Sequence, residues 1–310
     1  MALLTRKRLI LAKTEATYGT SSSPAGSDAV LVRNLEITPI ESDTVSRDLI
    51  RPYLGNSESL LANTRVGVTF EVEFAGSGTA GTAPRYGSLL KACGLSETVV
   101  ATTSVTYAPV SSSFSSCTIH VNVDGVLHPI TGCRGTFSLN AEVGQIPTLN
   151  FTMTGIYNAP TDTAAPATTY TNQATPVIFK AGNTTAFSIL SYSACLQSLT
   201  FDIANEVIYR ELVGCDKSVL ITNRAPAGTA VIEAPALATK DFFAIANNDT
   251  TGSISFQHGQ TAGNIVTFTA QKIDIGQPTY ADQDGIQMLN LPYVALPTSA
   301  GNDELSLAYT

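Results

Sequence analysis

The residues best placed to do chemistry begin with Gly76-Ser77-Gly78-Thr79-Ala80-Gly81, which satisfies a GxGxxG spacing. Glycines so placed permit a tight turn and let a pyrophosphate reach backbone N–H groups at a helix start. That chemistry needs a buried parallel strand before the loop and a helix directly after it. Here Val68–Phe74 reads Val-Thr-Phe-Glu-Val-Glu-Phe, and its alternation with Thr69, Glu71 and Glu73 marks an antiparallel strand with one wet face. Pro84 and further loop residues part the glycines from the next helical stretch, and hairpins follow it instead of strand–helix units. The run therefore reads as a flexible surface loop, and no cofactor is expected.

Other reactive side chains do not converge. His120, His128 and His258 have no metal-ligand spacing, and neither HExxH nor GxSxG occurs. Cys93, Cys117, Cys133, Cys195 and Cys215 contain no CxxC pair, so they are expected to be buried reduced thiols. No catalytic residue and no metal ligand is assigned. Glu71 and Glu73 stand side by side on one strand face. A solvated face explains them, and so does a channel wall that repels a polyanion such as DNA. Glu233 is the counterpart of Glu73 in the second half.

The 310 residues carry a formal net charge of −8, which excludes wrapping of nucleic acid by phosphate neutralisation. The charged fraction is low, at 14%. Polarity comes instead from Thr, Ser and Asn, a mix suited to short strands and turns rather than to long exposed helices. Arg6, Lys7 and Arg8 precede only a short apolar run, so neither a signal peptide nor a membrane span is expected.

The elements that must position these residues are strands. Thr118–Val123 alternates and ends at Asp124-Gly125, a hairpin turn signal. Thr136–Leu139 and Leu149–Met153 continue the pattern. In the second half Leu199–Ile203, Ala230–Glu233, Thr251–Phe256, Ile265–Ala270, Ile286–Leu291 and Leu305–Tyr309 read as strands. Each half offers one short helix, Tyr86–Cys93 and Lys240–Asn247. The expected fold is mostly β, with two tandem β-sandwich or barrel domains, each with one short helix, preceded by an extended N-terminal arm. Boundaries are expected at 1–30 (arm), 31–158 (first domain), 159–190 (a Thr-, Ala- and Pro-rich connection) and 191–310 (second domain). A shift of 160 places Leu60-Leu61 on Leu220-Ile221, Asn63 on Asn223, Thr69 on Thr229, Val72 on Ile232 and Glu73 on Glu233. A slightly larger shift places Arg47-Asp48-Leu49 on Arg210-Glu211-Leu212, so the halves read as an internal duplication.

Four stretches resemble the major tail tube proteins of long-tailed, siphovirus-like bacteriophages. They are Glu15-Ala16-Thr17-Tyr18-Gly19-Thr20; Arg47-Asp48-Leu49-Ile50-Arg51-Pro52-Tyr53-Leu54-Gly55; Glu73 to Gly78 running through Ala83-Pro84 into Leu89-Leu90-Lys91-Ala92-Cys93-Gly94-Leu95; and Gly132-Cys133-Arg134-Gly135-Thr136-Phe137-Ser138-Leu139 with Pro147, Phe151 and Gly155-Ile156-Tyr157. The resemblance covers the first half; the second half shares it through the duplication and lacks a Gly-rich loop before its helix.

The resemblance implies rings that stack into a hollow tube in the virion tail, assembled in the host cytoplasm. A tape-measure protein fills the tube, tail-tip (distal tail) and terminator proteins end it, and DNA passes through without specific binding at ejection. It implies Glu71, Glu73 and Glu233 as lumen-facing acids, and Tyr18, Arg47, Arg51, Tyr53 and Arg210 as contacts between subunits or rings. A duplicated chain would close as a trimeric pseudo-sixfold ring; one tube fold per chain would require a hexamer. Two other readings stand beside it. One is another virion or surface β-sandwich, such as a tail-decoration, adhesin or receptor-binding module; the other is a nucleotide-dependent enzyme using Gly76–Gly81.

Overall fold

A computed structural model describes residues 3–310. In chain order the elements are β1 (Arg8–Thr14), β2 (Ala29–Val30), β3 (Arg33–Ser46), β4 (Ser59–Glu73), α1 (Gly87–Ala92), β5 (Leu95–Val100), β6 (Ser104–Pro109), β7 (Cys117–Val123), β8 (Val126–Glu142), β9 (Thr148–Tyr157) and β10 (Thr161–Asp162). There follow β11 (Thr184–Ile189), β12 (Leu196–Asp202), β13 (Asn205–Arg210), β14 (Ser218–Arg224), β15 (Ala227–Glu233), α2 (Phe242–Asn247), β16 (Gly252–His258), β17 (Val266–Ile275), β18 (Thr279–Gln283), β19 (Ile286–Ala295) and β20 (Ser306–Tyr309). The protein is mostly β, as its alternating sequence dictates, and every strand pair is antiparallel. No barrel closes among the described residues.

Local signals explain the elements. Asp124 and Gly125 both take positive φ (45° and 100°), the geometry a tight β7–β8 hairpin needs to match strand twist. In α2 the Asp241 carboxylate accepts from the Ala244 N–H at 2.8 Å, capping an otherwise unpaired donor. β4 buries Val66, Val68, Phe70 and Val72, while the residues between them face away from the core.

The strand order repeats. Pairing runs β1-β7-β8-β9-β4-β3 in the first half and β11-β16-β17-β19-β15-β12 in the second. Each half also carries a bulge on the corresponding strand, at neighbouring rather than identical positions. The β3–β4 register shifts between Arg33 and Glu36, and the β12–β15 register between Leu196 and Ser198. The halves meet where β12 pairs with the C-terminal part of β8, with Leu139 opposite Phe201. One side of the molecule is therefore a continuous sheet of eight strands, β3-β4-β9-β8-β12-β15-β19-β18. Opposite it, β20 lies between β6 and β17, so the C-terminal strand also stitches first half to second. The core fills the space between, with the rings of Phe70, Phe137, Phe151, Phe201, Phe256 and Phe268 all buried.

The described residues among the first thirty are engaged with their own chain. β1 is flanked by β2 and β7. The buried Glu15 carboxylate accepts hydrogen bonds from Ser116 Oγ (2.6 Å), Thr118 Oγ1 (2.9 Å), Gly132 N (2.8 Å) and Gly19 N (2.9 Å), which replaces its lost hydration. Within 159–190, β11 pairs with β16 and Phe179 is buried against Phe256 and His258.

His258 is buried, with Nε2 3.1 Å from the Val177 carbonyl and Nδ1 2.9 Å from Thr184 Oγ1. The Nε2–H tautomer donates to the carbonyl and accepts from the hydroxyl, so the neutral ring is satisfied. Burial holds its pKa below the ordinary value. Below about pH 6.5 the unfolded chain takes up a proton that the folded chain resists, so this site's stability is full above that pH and lost as pH falls. His258→Gln should therefore show a smaller drop in urea midpoint between pH 7.5 and pH 5 than the parent; an equal drop would contradict the assignment.

Candidate assembly surface

The glycine run is not a nucleotide cradle, and it is not the flexible surface loop expected from its composition. It is packed against the β16–β17 connection. Gly78 N donates to the Gly263 carbonyl at 2.9 Å, Gly76 N donates to Asn264 Oδ1 at 2.8 Å, and the Gly76 carbonyl accepts from Ala174 N at 3.0 Å. A Cβ at Gly76 would lie 2.1 Å from the Gly263 oxygen, and one at Gly81 would lie 2.2 Å from the Thr102 nitrogen. Gly76 lets backbone touch backbone across the two halves, and Gly81 does so within the first half. The N–H groups at Gly76 and Gly78 that a phosphate would need are already bonded.

The other sequence candidates stay apart. No group of three or more His, Cys, Asp or Glu side chains that could hold a metal forms among the described residues. The five thiols are free, but only Cys93, Cys117 and Cys133 are buried. Cys195 and Cys215 are exposed, contrary to expectation, because one precedes β12 and the other lies in the turn between β13 and β14. Burial pushes the Cys93 and Cys133 thiols up, away from reactivity.

What the fold does assemble is a polar sheet face. Because side chains alternate, the residues between the core positions of the eight-stranded sheet share its outer side. Cα partners line up across it: Glu71, Asn150, Ser138, Asp202 and Ala227 in one row, and Glu73, Thr148, Asn140, Thr200 and Thr229 in the next. Glu71 accepts from Asn34 Nδ2 at 2.9 Å. Glu36 and Glu142 are exposed, Glu36 beside Thr69 and Glu142 beside Ser198. Glu233 is exposed at the end of β15. The face brings Glu71 and Glu73 together and carries Glu233 across the junction of the halves. It combines short hydrogen-bonding side chains with carboxylates.

Among the described residues, two edges of this sheet are unpaired: the outer side of β3 and the outer side of β18. The junction inside the chain shows what such edges look like when joined. Across β8 and β12, Leu139 and Phe201 are each 1% exposed. Through their neighbours Leu149 and Leu289, Leu139 corresponds to Tyr280 of β18, which is 61% exposed. A second contrast lies beside it. Ile221 of β14 sits over Gly94 and Phe114 of the first half and is 8% exposed, whereas Leu61, its counterpart by the 160-residue shift, is 60% exposed. The sequence reading missed β3 and β18 as edges because neither alternates cleanly.

The proposed contact residues fall in different places. Tyr18 is half-buried in its own chain: its hydroxyl donates to the Gly132 carbonyl (3.3 Å) and accepts from Val219 N (2.5 Å), with the Arg134 guanidinium over its ring at 4.7 Å. Burial, the largest influence, raises its phenol pKa. Arg134 in turn reaches the carbonyls of Phe114, Ser115 and Val219, riveting the β13–β14 hairpin to the first half. Arg47, Arg51 and Tyr53 lie at the exposed tip of the β3–β4 hairpin, with Arg47 paired to Glu58 at 2.8 Å and Arg51 6.0 Å from the Tyr53 ring centre. Arg210 ends β13, at the matching tip in the second half. These tips expose Ile50, Leu54 and Val213 completely.

A β protein with two open sheet edges, a polar face and apolar hairpin tips is built to associate. A family model described as phage tail tube protein matches residues 5–295. The chain belongs to the phage tail tube protein family, a structural component of the virion tail. No curated protein gives a significant match.

The Gly76–Gly263 contact makes a direct prediction. Gly76→Ala forces two backbones apart and should cost about 2–3 kcal/mol of unfolding free energy. Urea denaturation measures it, and an unchanged midpoint would show that the loop is free to yield.

Proposed function

We propose that this chain is the major tail tube subunit of a long-tailed, siphovirus-like phage, and that it forms stacked rings around a DNA conduit. The observation that carries this reading is the eight-stranded sheet whose two halves are joined in the chain by the very kind of edge pairing its free edges lack. Unpaired edges invite uncontrolled association, and closure into a ring removes them. The repeated strand order supports a duplication in which one chain supplies two tube folds, residues 31–158 and 191–310. Three chains then close a pseudo-sixfold ring.

The outer face of the eight-stranded sheet is the candidate lumen. The Thr, Ser and Asn rows offer no cation to hold a phosphate until the β3 edge, where Arg33 stands opposite Glu71, and Glu36, Glu71, Glu73, Glu142, Asp202 and Glu233 outnumber it. DNA slides past such a wall without adhering. Tape-measure, tail-tip and terminator proteins are the partners that go with this role. The apolar tips at Ile50, Leu54 and Val213 suit contacts between stacked rings. Assembly would take place in the host cytoplasm.

One experiment tests conduit and stoichiometry together. Rings or tubes of the parent and of the triple variant Glu71→Lys, Glu73→Lys, Glu233→Lys are imaged by electron microscopy, weighed by native mass spectrometry, and challenged with linear DNA. Three chains per ring, and DNA retention only by the variant, are expected. A six-chain ring would overturn the two-folds-per-chain reading. Equal DNA behaviour would place the lumen elsewhere.

A further inference from the structure

The junction inside the chain fixes the register that a junction between chains would adopt, and that register brings opposite charges together. Phe201 faces Gly228 as Ile37 faces Val68, and Leu139 faces Leu149 as Tyr280 faces Leu289. Since Leu139 pairs with Phe201, Tyr280 of one copy falls opposite Ile37 of the next. The β3 bulge between Arg33 and Glu36 shifts this register by one, so Arg33, which faces Glu71 as Ser198 faces Val231, takes the place of Ser198 opposite Glu142 and falls opposite Gln283, between Asp282 and Asp284.

Beside Arg33 the surface opens into a hollow of about 1010 Å³ lined by Arg6, Arg8, Arg33 and Glu36, among others. Arg8 is committed to the carbonyls of Thr5 and Leu35. Arg6 and Arg33 form no ion pair among the described residues. The β18–β19 turn that would enter this hollow is Asp282-Gln283-Asp284-Gly285, exposed throughout, and its two carboxylates are likewise without an ion pair among the described residues.

We propose that the acidic β18–β19 turn of one copy docks in the arginine hollow beside β3 of the next, with Asp282 and Asp284 meeting Arg33 and Arg6. This rests on the ring reading above and adds the recognition device to it. The junction within the chain is held by covalent continuity, and it has Ser198 and Val143 where the free edges have Arg33 and Asp284. The junction between chains must find its partner. Opposite charges steer the right edges together, and two β18 edges meeting each other would oppose four carboxylates.

The test uses the full chain in three forms: Asp282→Lys with Asp284→Asn (asparagine tolerates the positive φ of that turn position), Arg6→Glu with Arg33→Glu, and all four changes at once. All four side chains are exposed, so melting temperatures should match the parent and certify folding. At near-physiological salt each two-residue variant should need about tenfold more protein to form rings, and the fourfold variant should recover. Two-residue variants that assemble like the parent would overturn the clasp while leaving the ring intact. Failure of the fourfold variant to recover would also overturn it. A parent chain that forms no ring at any concentration would instead overturn the ring reading on which the clasp rests.

Discussion

Edge pairing is the interaction on which the rest of this structure depends. A β-sheet satisfies its backbone donors and acceptors only where another strand lies alongside, and every open sheet leaves two strands half satisfied. The first half ends at β8 and the second begins its sheet at β12. Pairing them buries Leu139 against Phe201 and converts two small sheets into one of eight strands. The remaining need is displaced to β3 and β18, at opposite ends of the same sheet.

The junction within the chain is reinforced by groups that have no other task. Arg134 donates to three carbonyls on either side of it and stacks on Tyr18. Arg224 of β14 pairs with the buried Glu304 at 3.0 Å and donates to the Val110 carbonyl at 2.7 Å. On the opposite layer Tyr309 of the last strand packs edge-on against Tyr86 and Tyr107 of the first half, and the Tyr86 hydroxyl donates to the Ala75 carbonyl. With each arginine hydrogen-bonded and the rings buried, the relative position of the halves is set by many independent contacts. In the proposed ring such rigidity would limit the angular error that accumulates from one junction to the next.

Much of this was legible in the residues. Strands with one wet face were visible because apolar and polar residues alternate, and Asp124-Gly125 marked its hairpin because few pairs tolerate two positive φ values. The first helix was placed by Pro84 before it and Gly94 after it. The 160-residue shift that aligns Thr69 with Thr229 and Glu73 with Glu233 is the shift that aligns their strand pairings. What escaped notice depends on distant parts of the chain. Gly76 and Gly78 read as a mobile loop because their partners, Gly263 and Asn264, are far away in sequence. Edge strands β3 and β18 lack alternation because only part of each is covered. The Glu15 carboxylate sits in an apparently loose N-terminal stretch, and its donors Ser116, Thr118 and Gly132 lie a hundred residues on. Cys195 and Cys215 were expected to be buried from residue type alone, and exposure follows from where the turns fall.

The central claim is that β3 and β18 are strands waiting for each other. Hydrogen–deuterium exchange measures this directly, because an amide pointing outward from an edge strand exchanges quickly until a neighbour accepts its hydrogen bond. Outward-pointing amides within Asn34–Thr38 and Thr279–Gln283 should exchange fast in the isolated subunit. In assembled tubes they should be as protected as those of Ser198–Asp202 in β12. Amides at both edges that remain fast in the assembled tube would contradict the account.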